Sequence, residues 1–244
     1  MLENVRLKHL LVIDIETVPM VEDYTALPEE LQKLWQHKAK YFLPAGEEPP
    51  KDFSFFDKAG IYSEFGKIVC ISVGMFFQPK DKEALHFRLK SLKGDDESQI
   101  LVDFFDLLKK FETINPRFQL CGHNIKEFDI PYLCRRCLIH TLALPAQLDI
   151  AGKKPWEVNF VDTMELWKFG DRKNYTSLSL LTNILNVPTP KDDIDGSDVG
   201  RIYWKEKDVD RIAVYCQKDV LAVAQLILRF KGMDLIPEEQ VVYA

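Results

Sequence analysis

Several features that mark particular classes of protein are scarce in this sequence. No apolar run approaches the about 20 residues that a helix needs to cross a lipid bilayer, so we expect no membrane segment. Only five cysteines occur in 244 residues. An odd, low count without a recognisable signal peptide favours free thiols in a reducing compartment. We therefore expect a cytoplasmic protein.

The sequence also lacks an excess of positive charge. Its formal net charge is −6, which argues against a protein that holds nucleic acid by bulk electrostatic attraction alone. An enzyme with clustered acidic side chains is still compatible, because bound metal ions reverse the local charge. A complete zinc site is missing too. Cys134 and Cys137 have suitable spacing, but no second pair accompanies them, so we expect two free thiols on a helix.

Apolar residues are present in sufficient number for a large core. With 46% hydrophobic and 29% charged residues over 244 positions, one folded domain spanning residues 1–244 is the simplest expectation. A stretch from about 18 to 63 is irregular and rich in proline and acidic residues. We interpret it as an insertion between the first two strands, without an assigned role.

Hydrophobic periodicity predicts an α/β fold. Strands are predicted at residues 8–15, 67–77, 84–89, 118–121 and 159–162. Helices are predicted at residues 28–35, 96–112, 128–139, 177–185 and 207–230. Three strands come first, followed by alternating helices and strands, and we interpret this order as a single domain.

The first chemically distinctive segment lies at the end of the first strand. Asp14 and Glu16 are two residues apart, and side chains at this spacing on a strand point to the same face. Two carboxylates on one face of an otherwise buried strand repel each other unless a cation lies between them. The alternative is a strand end that emerges into solvent, and this segment alone does not choose between the two.

Two further acidic positions stand out by their surroundings. Asp129 lies at the start of a helix, after a polar turn that contains Asn124, and helix capping also explains this placement. Asp219 lies four residues after Tyr215 in a largely apolar helix, so the carboxylate and the phenol share one helical face. A lone aspartate in such a helix usually pairs with a base or a metal.

Four carboxylates from separate elements can converge on one site: Asp14, Glu16, Asp129 and Asp219. Hard oxygen ligands without a matching set of His or Cys side chains suit Mg²⁺ or Mn²⁺. Two such cations, about 3.5–4 Å apart, stabilise the attacking and the leaving oxygen of a phosphoryl displacement. A neutral phenol beside them, that of Tyr215, can orient the attacking water.

These segments resemble the three motifs of the DEDDy branch of the DEDD 3′–5′ exonucleases. Asp14-Ile-Glu16-Thr17 matches the first motif, residues 124–133 match the second at full spacing, and residues 215–219 match the tyrosine form of the third. Order, separation and strand or helix context agree, and the resemblance extends from about residue 11 to 230. The nearest likeness is the proofreading exonuclease domain of family-B DNA polymerases.

The resemblance implies a ribonuclease H-like fold, with a three-strand antiparallel meander plus parallel strands in one mixed sheet. It also implies two divalent cations, Mg²⁺ or Mn²⁺, held by the same four carboxylates, with Tyr215 as a further catalytic residue. Substrate-binding roles follow for the backbone near Thr17, for Asn124 and for Phe128, whose ring is expected near the terminal nucleotide. The implied reaction releases nucleoside 5′-monophosphates from nucleic-acid 3′ ends.

Only residues 220–244 follow Asp219, so we expect a free-standing relative of a proofreading domain, with a role in DNA replication or repair. Likeness to polymerase domains favours single-stranded DNA over RNA, and no feature recognisably reads a 2′-hydroxyl. The alternatives are a catalytically lapsed nucleic-acid-binding module and a structural subunit of a replication or repair assembly. An endonuclease of the ribonuclease H type also uses four carboxylates, but it does not account for Tyr215.

Other polar side chains carry weaker expectations. Asp162 resembles a further polar position of such domains, and we expect a structural role for it. Four basic side chains are candidates for phosphate contacts, although loop lysines are usually just solvated. They are Lys153, Lys154, Arg172 and Lys173.

Overall fold

A computed structural model describes residues 2–44, 47, 50–80, 83–171, 175–188 and 194–244. Its centre is one sheet in the order β5-β4-β1-β2-β3-β6. The strands are β1 (Leu10–Pro19), β2 (Gly66–Phe77), β3 (His86–Lys93), β4 (Gln119–Gly122), β5 (Val161–Asp162) and β6 (Val241–Tyr243). The first three form an antiparallel meander, β4 and β5 run parallel to β1, and β6 pairs in parallel with β3. The predicted α/β fold class, a mixed sheet with a three-strand antiparallel meander plus parallel strands, is confirmed.

Helices flank this sheet. They are α1 (Glu29–Ala39), α2 (Phe55–Lys58), α3 (Glu97–Ile114), α4 (Asp129–Ile139), α5 (Thr163–Lys168), α6 (Leu178–Ile184), α7 (Val199–Arg201) and α8 (Val209–Lys231). A π-helical turn at Ile202–Glu206 follows α7. In the described parts of the chain, none of the helices combines the length and the apolar character that crossing a membrane requires.

The alternation of side chains along β1 determines where its acidic residues lie. Leu11, Ile13 and Ile15 pack in a core with α3 and α4 on one face of the sheet. Leu10 and Val12 pack with α8 on the other face. Because successive side chains of a strand point to opposite faces, Asp14 and Glu16 continue the series that faces α8.

The segment between β1 and β2 has a hydrophobic core of its own. The two strands bound it at residues 20–65, close to the expected 18–63. Trp35 on α1 is fully buried, and its ring centroid lies 5.2 Å from that of Phe55 and 5.1 Å from that of Phe65. The described part of this insertion is therefore a packed unit rather than a loose loop.

A buried ion pair connects the insertion with the sheet and two helices. Glu97, in the first turn of α3, accepts hydrogen bonds from Arg136 Nε at 2.8 Å, from Arg136 Nη2 at 2.6 Å and from the backbone N–H of Ile68 at 2.8 Å. Arg136 Nη1 donates to the carbonyl oxygen of Ser63 in the insertion at 2.8 Å. Burial raises the pKa of Glu97, but the hydrogen bonds from Arg136 and Ile68 outweigh it, so this pKa lies below its usual value.

Candidate active site

The end of β1 carries two carboxylates on the face toward α8. Asp14 is half-buried and Glu16 is buried. Asp14 pairs with Ser72 of β2 and Glu16 with Cys70, so the register between the two acids is regular. A carboxylate oxygen of each and the Sγ of Cys216 all lie within 4.8 Å of one another. The structure therefore brings these two predicted side chains together.

A β-bulge follows directly after Glu16. Glu16 pairs with Cys70, but Thr17 pairs with Ile68, so Val69 is the extra residue on β2. Bulges are common beside active sites because they re-aim the side chains that follow. Beyond the bulge, Thr17 is half-buried and lines a cavity that Glu16 also lines.

Asp129, the first residue of α4, is buried against β1. Its Oδ1 accepts a hydrogen bond from the backbone N–H of Ile15 at 3.2 Å, which places this carboxyl group beside the acids of β1. The pKa of Asp129 is raised to about 7. Burial is the largest cause and the charges of Asp162 and Asp219 add to it, whereas hydrogen bonds from backbone N–H groups, that of Ile15 among them, oppose it.

Helix α8 contributes Tyr215 and Asp219. Val220 of the same helix packs in the core behind β1, which fixes the rotation of α8 about its axis. The Tyr215 hydroxyl is hydrogen-bonded to the Asp219 carboxylate. Burial and the negative charges of Asp219, Glu16 and Asp14 raise the pKa of Tyr215 far above its usual value, so the side chain is a neutral phenol.

The four carboxyl groups act on one another electrostatically. Burial, followed by the charges of Asp129 and Asp219, raises the pKa of Asp14. Burial, followed by the charges of Asp14 and Asp219, raises the pKa of Glu16. Such a concentration of buried carboxyl groups is costly unless a cation neutralises it. Oxygen donors of this kind fit a hard divalent cation, so the residues present suit the class of cofactor that the sequence predicts.

The site also contains Cys216, which the sequence analysis does not identify as a site residue. Its Sγ lies 3.2 Å from Asp14 Oδ2 and 3.4 Å from the Asp14 carbonyl oxygen. Burial raises the pKa of the Cys216 thiol well above its usual value, so the thiol is a neutral donor that orients Asp14. The sequence feature that could have identified Cys216 is its position next to Tyr215. It lies four residues after Ile212 and four before Val220, on the buried face of α8.

Asp162 holds the turn that leads into α4. Asn124 lies in the left-handed region with φ 62°, a conformation that asparagine tolerates better than most residues. The N–H of Asn124 donates to Asp162 Oδ1 at 3.0 Å, and that of Lys126 donates to Oδ2 at 3.2 Å. Asp162 Oδ1 also caps α5 through the N–H of Met164 at 2.9 Å. Asn124 thus shapes the turn before Asp129, and Asp162 fixes it.

A cavity of about 250 Å³ opens beside Glu16. Thr17 and Phe128, two of the residues expected to bind substrate, line it. Much of the remaining wall comes from the insertion and from the surroundings of α7. It includes Phe56, Gly60, Ile61, Gly196, Ser197 and Gly200.

The candidate phosphate contacts lie in loops. Lys153 and Lys154 are exposed, and Lys154 Nζ lies 5.3 Å from the centroid of the Trp156 ring. Arg172 and Lys173 lie outside the described residues. Phosphate binding by these side chains stays a prediction.

Similarity to known proteins bears on the class of this site. A family described as predicted 3′–5′ exonucleases related to the exonuclease domain of PolB matches residues 61–239. That range includes Asp129, Tyr215 and Asp219, whereas Asp14 and Glu16 precede it. No curated protein gives a significant match.

A solved structure adds a distant likeness. The chain is similar to the family B DNA polymerase from the hyperthermophilic archaeon Pyrobaculum calidifontis, with 17% identity and a TM-score of 0.47. The similarity covers 90% of this chain and 24% of the polymerase chain. Because the family match covers well over half of its sequence, this chain belongs to the predicted 3′–5′ exonucleases related to the exonuclease domain of PolB.

Proposed function

We propose that this protein is a metal-dependent 3′–5′ exonuclease. The observation that carries the proposal is the convergence of Asp14, Glu16, Asp129 and Asp219 beside the phenol of Tyr215. Membership of the PolB-related family supports it, because the matched region contains three of these five residues.

In this proposal the carboxylates would hold two cations, Mg²⁺ or Mn²⁺. Asp14, Glu16 and Asp219 would hold one of them, and Asp14 would hold the other together with Asp129, which would act directly or through a water molecule. When bound, such cations supply charge stabilisation for both the attacking and the leaving oxygen. The thiol of Cys216 orients Asp14 at 3.2 Å, and a backbone N–H of β1 orients Asp129, also at 3.2 Å.

Tyr215 positions the attacking water. Because its pKa is raised, the phenol keeps its proton and acts through a hydrogen bond rather than as a base. The water oxygen bonds to the phosphorus of the terminal phosphodiester while the bond to the 3′ oxygen of the preceding nucleotide breaks. That oxygen takes up a proton and becomes the new 3′-hydroxyl, and a nucleoside 5′-monophosphate leaves.

The substrate in this proposal is a single-stranded 3′ end, with DNA favoured over RNA. The relation of the family to a DNA polymerase domain favours DNA. The cavity beside Glu16, lined by Thr17 and Phe128, would hold the terminal nucleotide, with its phosphodiester near the carboxylates.

The decisive experiment uses 5′-labelled single-stranded DNA and RNA oligonucleotides, incubated with Mg²⁺, Mn²⁺ or chelator. Asp219→Ala is compared with the wild type and with Asp210→Ala, which changes a largely exposed aspartate on the same helix. We expect a ladder that shortens from the 3′ end, needs metal, survives in Asp210→Ala and falls below detection in Asp219→Ala. The relative rates on the two substrates give the sugar preference.

Circular dichroism and thermal melting show whether Asp219→Ala is folded. We expect an intact fold, because removing one acid from a repulsive cluster relieves strain when metal is absent. Cleavage by a folded Asp219→Ala at the wild-type rate contradicts the proposal. Intact substrates under every condition with the wild type favour the nucleic-acid-binding module instead.

A further inference from the structure

The cavity beside Glu16 takes much of its wall from outside the three motifs. The insertion contributes Phe56, Gly60 and Ile61, and α7 contributes Gly200. The motif pattern assigns no role to either segment. Their contribution to a cavity that contains a proposed metal ligand therefore needs a separate explanation.

The insertion side of this wall is fixed to the sheet. Gly60 lies so close to β1 that a Cβ built on it falls 3.2 Å from the backbone carbonyl carbon of Val18. The hydroxyl of Tyr132 donates to the Gly60 carbonyl oxygen at 2.9 Å. Phe55 is 2% exposed and packs in the core around Trp35. The wall is formed before a ligand arrives, so binding costs little ordering entropy.

Phe56 differs from its neighbour Phe55, which anchors the core of the insertion. Phe56 is half-buried and lines the cavity. Gly200 approaches its ring, with 4.0 Å between Phe56 Cε1 and a Cβ built on the glycine, so no larger side chain from that position fills the space. Phe128 brings a second half-buried ring to the same cavity from the second motif.

Aromatic walls beside an acidic cluster suit a nucleobase rather than a phosphate group. Glu16 and Asp57 also line the cavity, and where no cation is bound, carboxylates disfavour a phosphate placed among them. Aromatic side chains stack on any base, because every base has a π-face. The cavity of about 250 Å³ is partly open to solvent, so its two half-buried rings are accessible to an entering base, and a base that inserts between protein side chains must first leave its pairing partner.

We propose that Phe56 stacks on the base of the 3′-terminal nucleotide, so that the wall supplied by the insertion selects unpaired 3′ ends. This inference rests on the proposed exonuclease function, which puts the terminal nucleotide beside the acidic cluster. It gives the insertion a role in substrate binding that is separate from the chemistry of the carboxylates.

The first test measures binding without cleavage. A single-stranded DNA oligonucleotide with 2-aminopurine at its 3′ end is titrated with protein in chelator, since stacking on an aromatic ring quenches this fluorophore. Phe56→Ala is compared with the wild type, with Phe56→Trp and with Tyr41→Ala, which removes a 78% exposed ring elsewhere in the insertion. We expect quenching in all but Phe56→Ala, which should bind about tenfold more weakly, as one lost base stack implies.

The second test separates base contact from a structural effect. We compare kcat/KM for oligonucleotides that end in a normal nucleotide and in an abasic one, with metal present. The wild type should prefer the normal end by about tenfold, and Phe56→Ala should lose this preference while it cuts the abasic end as fast as the wild type. A merely structural defect slows the cleavage of both substrates. A 3′ end paired in a duplex should be cut more slowly by the wild type than an unpaired one.

The outcomes distinguish this inference from the proposed function. Equal quenching and equal preference for the normal end in the wild type and Phe56→Ala overturn the stacking role and leave the exonuclease proposal intact. Quenching that depends on Phe56, without cleavage in either metal, supports the stacking role and contradicts the proposed function.

Discussion

The surroundings of Tyr215 keep its side chain protonated. Burial and the surrounding carboxylates raise its pKa, so the phenol does not titrate in the pH range in which cleavage would be assayed. We expect Tyr215→Phe to lower kcat by roughly tenfold to a hundredfold. A side chain that transfers a proton typically contributes about 10²–10⁴-fold, and a phenol that only orients the water should contribute less. The pH profile of the remaining activity should keep its shape, because no titrating group has been removed.

Steady-state kinetics of the wild type and Tyr215→Phe across pH provide the measurement, and the exposed Tyr41→Phe is the control. An unchanged kcat in Tyr215→Phe means that the phenol does not orient the water. A profile that loses one limb in this variant means that the phenol acts as an acid or a base.

The sequence identifies the residues whose chemistry depends on short spacing. Asp14 and Glu16 are two apart on a strand, and Tyr215 and Asp219 are four apart on a helix, so local geometry alone puts each pair on one face. Phe56 has no such signal, because it follows a second phenylalanine and only the tertiary structure shows which of the two rings is in the core. The place of Cys216 in the site likewise depends on how α8 packs on the sheet. The bulge at Val69 depends on how β2 pairs with β1.

Glu97 is a buried charge that connects several secondary-structure elements. It links α3 to α4, to β2 and, through Arg136, to the insertion. Replacing it with glutamine leaves the guanidinium of Arg136 buried without its counter-charge, a change that typically costs 3–5 kcal/mol, and we expect about that loss in Glu97→Gln. Urea unfolding followed by circular dichroism measures it.

The matched control is Glu30→Gln, which breaks the exposed ion pair with Lys33 on α1. Surface pairs of this kind contribute about 0–1 kcal/mol, so its unfolding midpoint should hardly move. Equal effects of Glu97→Gln and Glu30→Gln mean that the buried pair is replaceable by neutral hydrogen bonding.

Most predicted elements are present close to their predicted bounds, and the elements that the prediction misses are short. The strand predicted at 67–77 is β2 (Gly66–Phe77), and the helix predicted at 207–230 is α8 (Val209–Lys231). β6 is missed because three residues are too few to show an alternating pattern, and the strand is defined by its backbone pairing with β3. In the insertion, the helix predicted at 28–35 is present as α1, but the packing around Trp35 depends on residues far apart in sequence.

For the molecule as a whole, we expect the metal-free protein to lose stability as pH rises. Asp129 has a pKa of about 7 in the folded protein, against about 4 in an unfolded chain. Between these values the unfolded chain releases the proton first, so the free energy of unfolding decreases with rising pH. The raised pKa values of Asp14 and Glu16 act in the same direction. In chelator, Tm should therefore fall from about pH 5 to about pH 8.

Divalent cations are expected to counter this loss. At about 100 times the dissociation constant, a bound ligand adds about 2.7 kcal/mol, or roughly 5–10 °C for a chain of this size. The gain should be larger near pH 8 than near pH 5, because the ligands must be deprotonated. Asp129→Asn should reduce both effects, whereas Asp106→Asn, an exposed change on α3, should reduce neither. A gain in Tm that is the same at both pH values argues against metal binding by these carboxyl groups.

The buried tryptophan of the insertion gives this protein an intrinsic optical reporter. Trp35 is shielded from water among aromatic rings, whereas Trp156 is 77% exposed. Indole emits at shorter wavelength in an apolar environment, and an aqueous quencher reaches an exposed indole first. With the exposed indoles quenched, the blue side of the emission spectrum reports mainly on shielded indoles, Trp35 among them. Loosening of the insertion that supplies Phe56 to the cavity wall should therefore appear as a red shift, without any attached label.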